Sequence, residues 1–316
     1  MKLATYESAE QFRLGVVQGD SVVDVAAAYG LMARGRIADT KVAAAAKVLR
    51  KLGRPPQDMI ELLGLGERYR RALGVIVTGA GAMGKKGPKG LVIPLRTARL
   101  RAPIAHPNKI ICIGLNYADH AREQGSQPPT APIVFLKSHN TICGPGDPIK
   151  LPPNSAQVDY EGEFAVVIGK RGRCIPESEA HKYIAGYTVL HDVSARDMQF
   201  KDGQWYRGKS CDTFAPTGPW IVTPDEMPDP NNLRISLTLN GETMQDSSTS
   251  NLIFKVPFLI SYLSQAVTWE VGDLISTGTP PGVGVFRKPP VFLKAGDTVS
   301  ITVEGIGTLT NPVAGS

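Results

Sequence analysis

The sequence predicts an α+β fold, strand-rich over its last two thirds and preceded by a small region of short strands and helices. Three observations predict it: period-two runs at the very start, helical spacing concentrated in residues 25–73, and a long later stretch where strand-like runs dominate without alternating regularly with helices. Regular alternation would have argued for a doubly wound sheet instead. A chain of 316 residues can bury one large core or two modest ones, and the change of pattern places an accessory domain at 1–100 and the main domain at 101–316.

Residues 2–25 alternate apolar and polar around the turn Gln18-Gly-Asp-Ser21, so KLATYE, FRLGVV and SVVDV read as antiparallel strands. Helical spacing follows in VAAAYGLMARG, TKVAAAAKVLRKL and MIELLGLGERYRRAL, with Gly-Arg-Pro-Pro as punctuation. GAGAMGKKGPKG, from Gly79 to Gly90, lacks an apolar period and reads as a surface loop or linker. Its first six letters fit G-x-G-x-x-G, but KKGPKG cannot open a helix and no Asp or Glu lies between Gly84 and Asp119, so dinucleotide binding is set aside. Beyond residue 100, IICIG, VDYEGEFAVVIGK, LRISLTLNGETM, DLISTGTP and DTVSITVEGIGTLTNPV are strand-like. ADHAREQG, PESEAHKYIA and KVPFLISYLSQAV have helical period.

The net charge of +6 suits an anionic partner, yet Lys and Arg are dispersed apart from runs such as Arg68-Tyr-Arg-Arg71 and Lys85-Lys86. That pattern argues against nucleic acid and for a small anion. Four separated cysteines, Cys112, Cys143, Cys174 and Cys211, show neither zinc-finger spacing nor a disulfide framework and read as free thiols. No basic start leads into an apolar run and no segment is long enough to span a bilayer, so a cytoplasmic protein without membrane contact is expected.

Chemistry concentrates in VDYEGEF, where Asp159, Glu161 and Glu163 recur every second residue, which on a strand puts them on one face roughly 7 Å apart. Acids stacked beside the apolar run Phe-Ala-Val-Val-Ile repel one another unless a cation compensates, and oxygen-only ligands select hard ions such as Mg²⁺, Mn²⁺ or Ca²⁺. Asp192, in YTVLHDVSARDMQ, is the candidate third ligand, although the same residue fits a helix N-cap. His120 and Glu123, three apart in DHAREQG, can share a helix face and work as a general base, or simply be a surface pair. Lys209, Arg196 and Gln199 are candidates to reach an anionic ligand, with solvated side chains as the plain alternative. In DLISTGTPPGVG the turn at Gly278 and Thr279 offers N–H groups and a hydroxyl to a carboxylate, or is an ordinary turn.

GLNYADHAREQG, DYEGEFAVVIGK, LHDVSARDMQ, KSCDTFAPTGPW and GDLISTGTPPGVG occur in the order found in the fumarylacetoacetate hydrolase family, which the chain resembles over residues 108–313. The resemblance implies a strand-built roll, usually dimeric, with an Mg²⁺ or Mn²⁺ site at its mouth, where Ca²⁺ can substitute in crystals. It implies Glu161, Glu163 and Asp192 as metal ligands, and His120 and Glu123 as the water-activating pair on a lid. Lys209, Arg196, Gln199, Thr279 and, on a weaker match, Lys137 stand at positions around the substrate. The implied activity is metal-dependent hydrolysis of a C–C bond in a β-diketo acid such as a 3-acylpyruvate. The alternatives are an isomerase or decarboxylase of oxo-acids in aromatic catabolism, or a carboxylate-binding protein without turnover.

Overall fold

The structure is a computed structural model that describes residues 1–34, 39–83, 87–227 and 229–315. Its largest sheet has the path Val92–Pro94, Ser21–Asp24, Gln11–Gln18, Lys2–Ser8, Ala215–Val222, Ile184–His191, Gly162–Ile168, Leu274–Ser276, Ile110–Gly114 and Ile133–Lys137. A five-stranded sheet, Glu242–Ser248, Arg234–Leu239, Thr298–Val303, Gly307–Ala314 and Ile149–Lys150, covers part of one face. The strand-rich α+β architecture expected from the sequence is what the chain adopts.

The central strand Gly162–Ile168 is buried at all seven positions, and its period of two divides it between two cores. Phe164, Val166 and Ile168 pack with Leu237, Ile301 and Leu309 of the second sheet. Ala165 and Val167 face the other way, into a cluster that includes Leu3, Leu62, Ile76 and Val77 from the first hundred residues. The amino-terminal hairpin joins the main sheet directly, with Lys2 opposite Val222 and Leu3 opposite Ile221.

The three expected amino-terminal strands form as Lys2–Ser8, Gln11–Gln18 and Ser21–Asp24, with Gly19 at φ 52° in the tight turn that pairs Gln18 with Ser21. Helices Val25–Arg34, Thr40–Arg50, Met59–Gly64 and Glu67–Met83 follow. The linker expected from Gly79 to Gly90 is corrected in its first part: Gly79–Met83 continue the helix that begins at Glu67. The small residues there allow close approach to the hairpin, since a Cβ at Gly81 would lie 2.2 Å from Gln18 Oε1 and 3.3 Å from Val23 Cγ2. Gly84, Lys85 and Lys86 lie outside the described residues. Among the described residues no helix is long and apolar enough to cross a membrane.

Candidate metal centre and active site

Four chain crossings meet at one end of the central sheet. Gly162 pairs with His191 on the neighbouring antiparallel strand, so Glu161 just before one strand and Asp192 just after the other become adjacent, and Asp192 N–H donates to the Glu161 carbonyl at 2.9 Å. On the opposite flank Leu274–Ser276 pairs antiparallel with the same central strand and delivers Ser276 and Gly278 to Glu163. Ile110–Gly114, parallel to Leu274–Ser276, leads into the helix Ala118–Glu123 that carries His120 over the site.

Glu161, Glu163 and Asp192 are buried and present ligand oxygens within 4.8 Å of one another. Asp159 does not join them. The strand is interrupted at Tyr160 and Glu161, and Asp159 instead accepts from Arg196 Nε at 2.8 Å and from the backbone of Gly284 at 2.7 Å. Three buried cations surround the cluster. Arg196 Nη2 donates to Glu161 at 2.6 Å, Lys209 Nζ bridges Glu161 at 2.5 Å and Asp192 at 2.6 Å, and Lys137 Nζ holds the other Asp192 oxygen at 2.6 Å. Burial would raise the Glu161 carboxyl, but the Arg196 and Lys209 charges outweigh it and hold the group well below its ordinary value. Burial would also lower the Lys209 ammonium, and Asp192 and Glu161 raise it instead.

Glu163 is the exception: burial, then the Asp192 and Glu161 charges, push its carboxyl well above the usual range. Its Oε2 accepts from Ser276 Oγ at 2.5 Å and Gly278 N–H at 2.9 Å, and among the described residues no hydrogen bond reaches Oε1. A buried carboxylate with one uncommitted oxygen, beside two others, fits a hard divalent cation of the Mg²⁺ or Mn²⁺ type. Next to Asp192, burial and then the Lys137 charge lower the His191 imidazole to about 3, so it stays neutral.

Facing the acids, His120 Nδ1 lies 2.9 Å from Glu123 Oε2, and Glu123 Oε1 is fixed by the Gly282 N–H at 2.9 Å. With Glu123 as acceptor, Nδ1 carries the proton and Nε2 keeps its lone pair, which takes the Gln124 amide at 2.7 Å. Between this pair and the acids is a cavity of about 170 Å³, also lined by Arg196, Gln199, Lys209 and Thr279.

Some expected roles land differently. Asp192 is no N-cap: the next helix, Arg196–Lys201, is preceded by Ala195. Lys209 closes the short helix Tyr206–Lys209 and is buried. Lys137 does not line the cavity but braces Asp192 from behind. The Gly278 turn, at φ 102°, does bind a carboxylate, though it is the protein's own Glu163. The Thr279 hydroxyl donates to the Gly162 carbonyl at 3.1 Å and accepts from Gln245 Nε2 at 2.8 Å. Sequence reasoning passed over Ser276 and Gln124; Ser276, a hydroxyl ending the apolar run LIS, carried a signal, whereas Gln124 did not stand out from its polar neighbours.

A buried acidic triad at the end of the central sheet, opposed by a His–Glu pair, is an arrangement that could hold a divalent cation beside a general base. The family model for the fumarylacetoacetate (FAA) hydrolase C-terminal region matches residues 109–314, and the chain belongs to that family of enzymes. It is 49% identical over 264 residues to a Bos taurus protein named oxaloacetate tautomerase FAHD2A, mitochondrial, covering 82% of this chain and 80% of that one. Among solved structures, fumarylacetoacetate hydrolase from Exiguobacterium antarcticum superposes with a TM-score of 0.79 at 32% identity, covering 100% of both chains. A 2-hydroxyhepta-2,4-diene-1,7-dioate isomerase from Mycobacterium marinum gives 0.71 at 34% identity, over 100% of this chain and 99% of that one. The expectation of a cytoplasmic protein is overturned by the mitochondrial naming of the relative. Composition and the lack of a spanning segment bear on membrane insertion and do not encode compartment.

Proposed function

We propose that the chain is a divalent-metal-dependent isomerase that interconverts the keto and enol forms of a small 2-oxo acid, with oxaloacetate as the first substrate to test. The observation that carries this reading is a single oriented base, His120, facing the carboxylate triad across a cavity of about 170 Å³. That volume lies below the roughly 300–1,000 Å³ of pockets that take drug-sized ligands. The tautomerase name of a relative at 49% identity and the solved isomerase at 34% support it.

In this reading Arg196, Gln199 and Lys209 orient the substrate carboxylates, and His120 Nε2, once the Gln124 amide yields, takes a proton from C3. Glu123 steadies the imidazolium that forms. The proton lost at C3 is balanced by one gained at the C2 oxygen. A divalent ion on Glu161, Glu163 and Asp192 would polarise the C2 carbonyl and favour the charge that develops there. No water takes part, which suits a base whose lone pair is covered by Gln124 at 2.7 Å. Hydrolytic C–C cleavage is the second reading, supported by the likeness to the solved hydrolase and by the His120–Glu123 pair.

The test is to follow enol-oxaloacetate by absorbance and products by NMR, with Mg²⁺ or Mn²⁺. Accelerated ketonisation with no fragment formed is expected, whereas cleavage of acylpyruvates without ketonisation would replace this reading by the hydrolytic one. We further propose a homodimer joined along the edge strand Ile133–Lys137, whose Val134 and Leu136 are 43% and 49% exposed.

A further inference from the structure

One half of the cavity has a character that a four-carbon dicarboxylate does not use. Trp205 stands edge-on to Phe135, ring centroids 5.2 Å apart and planes at 66°, and both line the cavity. Gly114 provides the seat for Trp205: a Cβ at that position would lie 2.7 Å from the indole. The other face of the arrangement is fixed by charge, since Lys209 Nζ sits 4.9 Å from the Phe135 ring centroid while it bridges Glu161 and Asp192. Phe200 and Phe286 also line the cavity although they are 59% and 40% exposed, and Phe286 lies 6.1 Å from His120 between ring centroids. Aromatic side chains left open to solvent beside a pocket are not explained by core packing and mark a surface for an apolar ligand.

Charge divides the cavity in the same way. Its cations, Lys209 and Arg196, are both drawn to the acidic floor, Arg196 through Asp159 and Glu161. A cation does touch the aromatic wall, Lys209 against Phe135, but its ammonium is already committed to Glu161 and Asp192. A carboxylate turned to the rings of Phe135, Phe200 and Phe286 would find no hydrogen-bond donor on those side chains. A dicarboxylate therefore gains most by keeping both ends near the floor. A monocarboxylate with a ring at C3 satisfies floor and wall together.

We infer that the site also takes 2-oxo acids bearing an aryl group at C3, and catalyses their keto–enol interconversion with the ring against Trp205, Phe135 and Phe286. This inference rests on the isomerase reading above. The step is the same: the C3–H bond breaks and its proton passes to His120 Nε2, the electron pair forms the C2–C3 double bond, the carbonyl pair moves to the C2 oxygen, and that oxygen takes a proton. The reverse sequence returns the keto acid, so no oxidant, reductant or second substrate is consumed.

The experiment uses the full chain with Mg²⁺ or Mn²⁺ and compares ketonisation of enol-phenylpyruvate with that of enol-oxaloacetate. Catalysis of both is expected. Trp205→Ala and Phe286→Ala should each lower kcat/KM for phenylpyruvate about tenfold more than for oxaloacetate, the scale of one lost aromatic contact. Trp205→Phe, which keeps a ring, should restore most of the difference and guards against a misfolded alanine variant. Oxaloacetate turned over while phenylpyruvate decays at the uncatalysed rate would overturn the aryl subsite and leave the isomerase reading standing. An equal fall for both substrates in a folded variant would overturn it too, while no acceleration of either substrate would sink the isomerase reading itself.

Discussion

Burial and two acidic neighbours push the Glu163 carboxyl up, and its hydrogen bond from Ser276 works against that rise. Ser276 and Gly278 hydrogen-bond one oxygen and leave the other toward its acidic neighbours. A hydroxyl that orients a metal ligand in this way is generally worth 10–100-fold in affinity. Ser276→Ala should therefore weaken Mn²⁺ binding by about that factor in calorimetry, with little change in melting temperature without metal. Unaltered affinity would mean that Gly278 N–H alone sets the carboxylate. The acidic cluster was legible in the sequence, Glu161 and Glu163 because E-x-E beside an apolar strand is expensive without compensation, and Asp192 because it stands just past the apolar run VL. Their counter-charges were not, since Lys137 lies 55 residues from its partner Asp192 and only the folded register joins them.

At the scale of elements, the amino-terminal hairpin is tied to its first helix by one buried acid. Asp24 accepts a bidentate pair from Arg13, at 2.7 and 2.8 Å, and the Ala27 N–H at 2.6 Å, together with the Tyr6 hydroxyl. Burial would raise its carboxyl, but the Arg13 and Tyr6 bonds win and hold it below the ordinary value. A folded-state pKa below the unfolded one stabilises the fold above the unfolded value, about 3.9, and that contribution is lost as pH falls further. Asp24→Asn should cost about 2–3 kcal/mol in urea unfolding at pH 7, a figure reduced because Arg13 is 35% exposed. It should also flatten the acid limb of the stability profile; an unchanged limb would assign that slope to other carboxylates. The strands and helices here followed from period alone. The end of the helix Glu67–Met83 did not, because Gly-Ala-Gly-Ala has weak helical propensity and is held by packing on the hairpin.

For the whole molecule, the path of the main sheet ends at Ile133–Lys137, whose residues toward solvent are apolar. Leu136→Glu should convert a dimer to a monomer in light scattering after size exclusion, and a wild-type chain that is monomeric at micromolar concentration would dispose of the proposed pairing. The continuity of the amino-terminal hairpin with Ala215–Val222 was not foreseeable from local pattern, because Lys2 and Val222 are joined only by tertiary register. The order of the five family motifs revealed the carboxyl-terminal roll far more directly than any periodicity did.

Lys137, Arg196 and Lys209 also bear on how such a protein is assembled and kept ready. Domains whose ligands have no internal counterweight, such as zinc fingers, collapse when stripped of their ion. Here the two ammonium groups and the guanidinium already share the burden of the acids, so the fold is expected to form whether or not an ion is bound. Prolonged dialysis against chelator should yield an inactive protein with a preserved near-UV circular dichroism spectrum, and activity should return within the mixing time when Mn²⁺ is added.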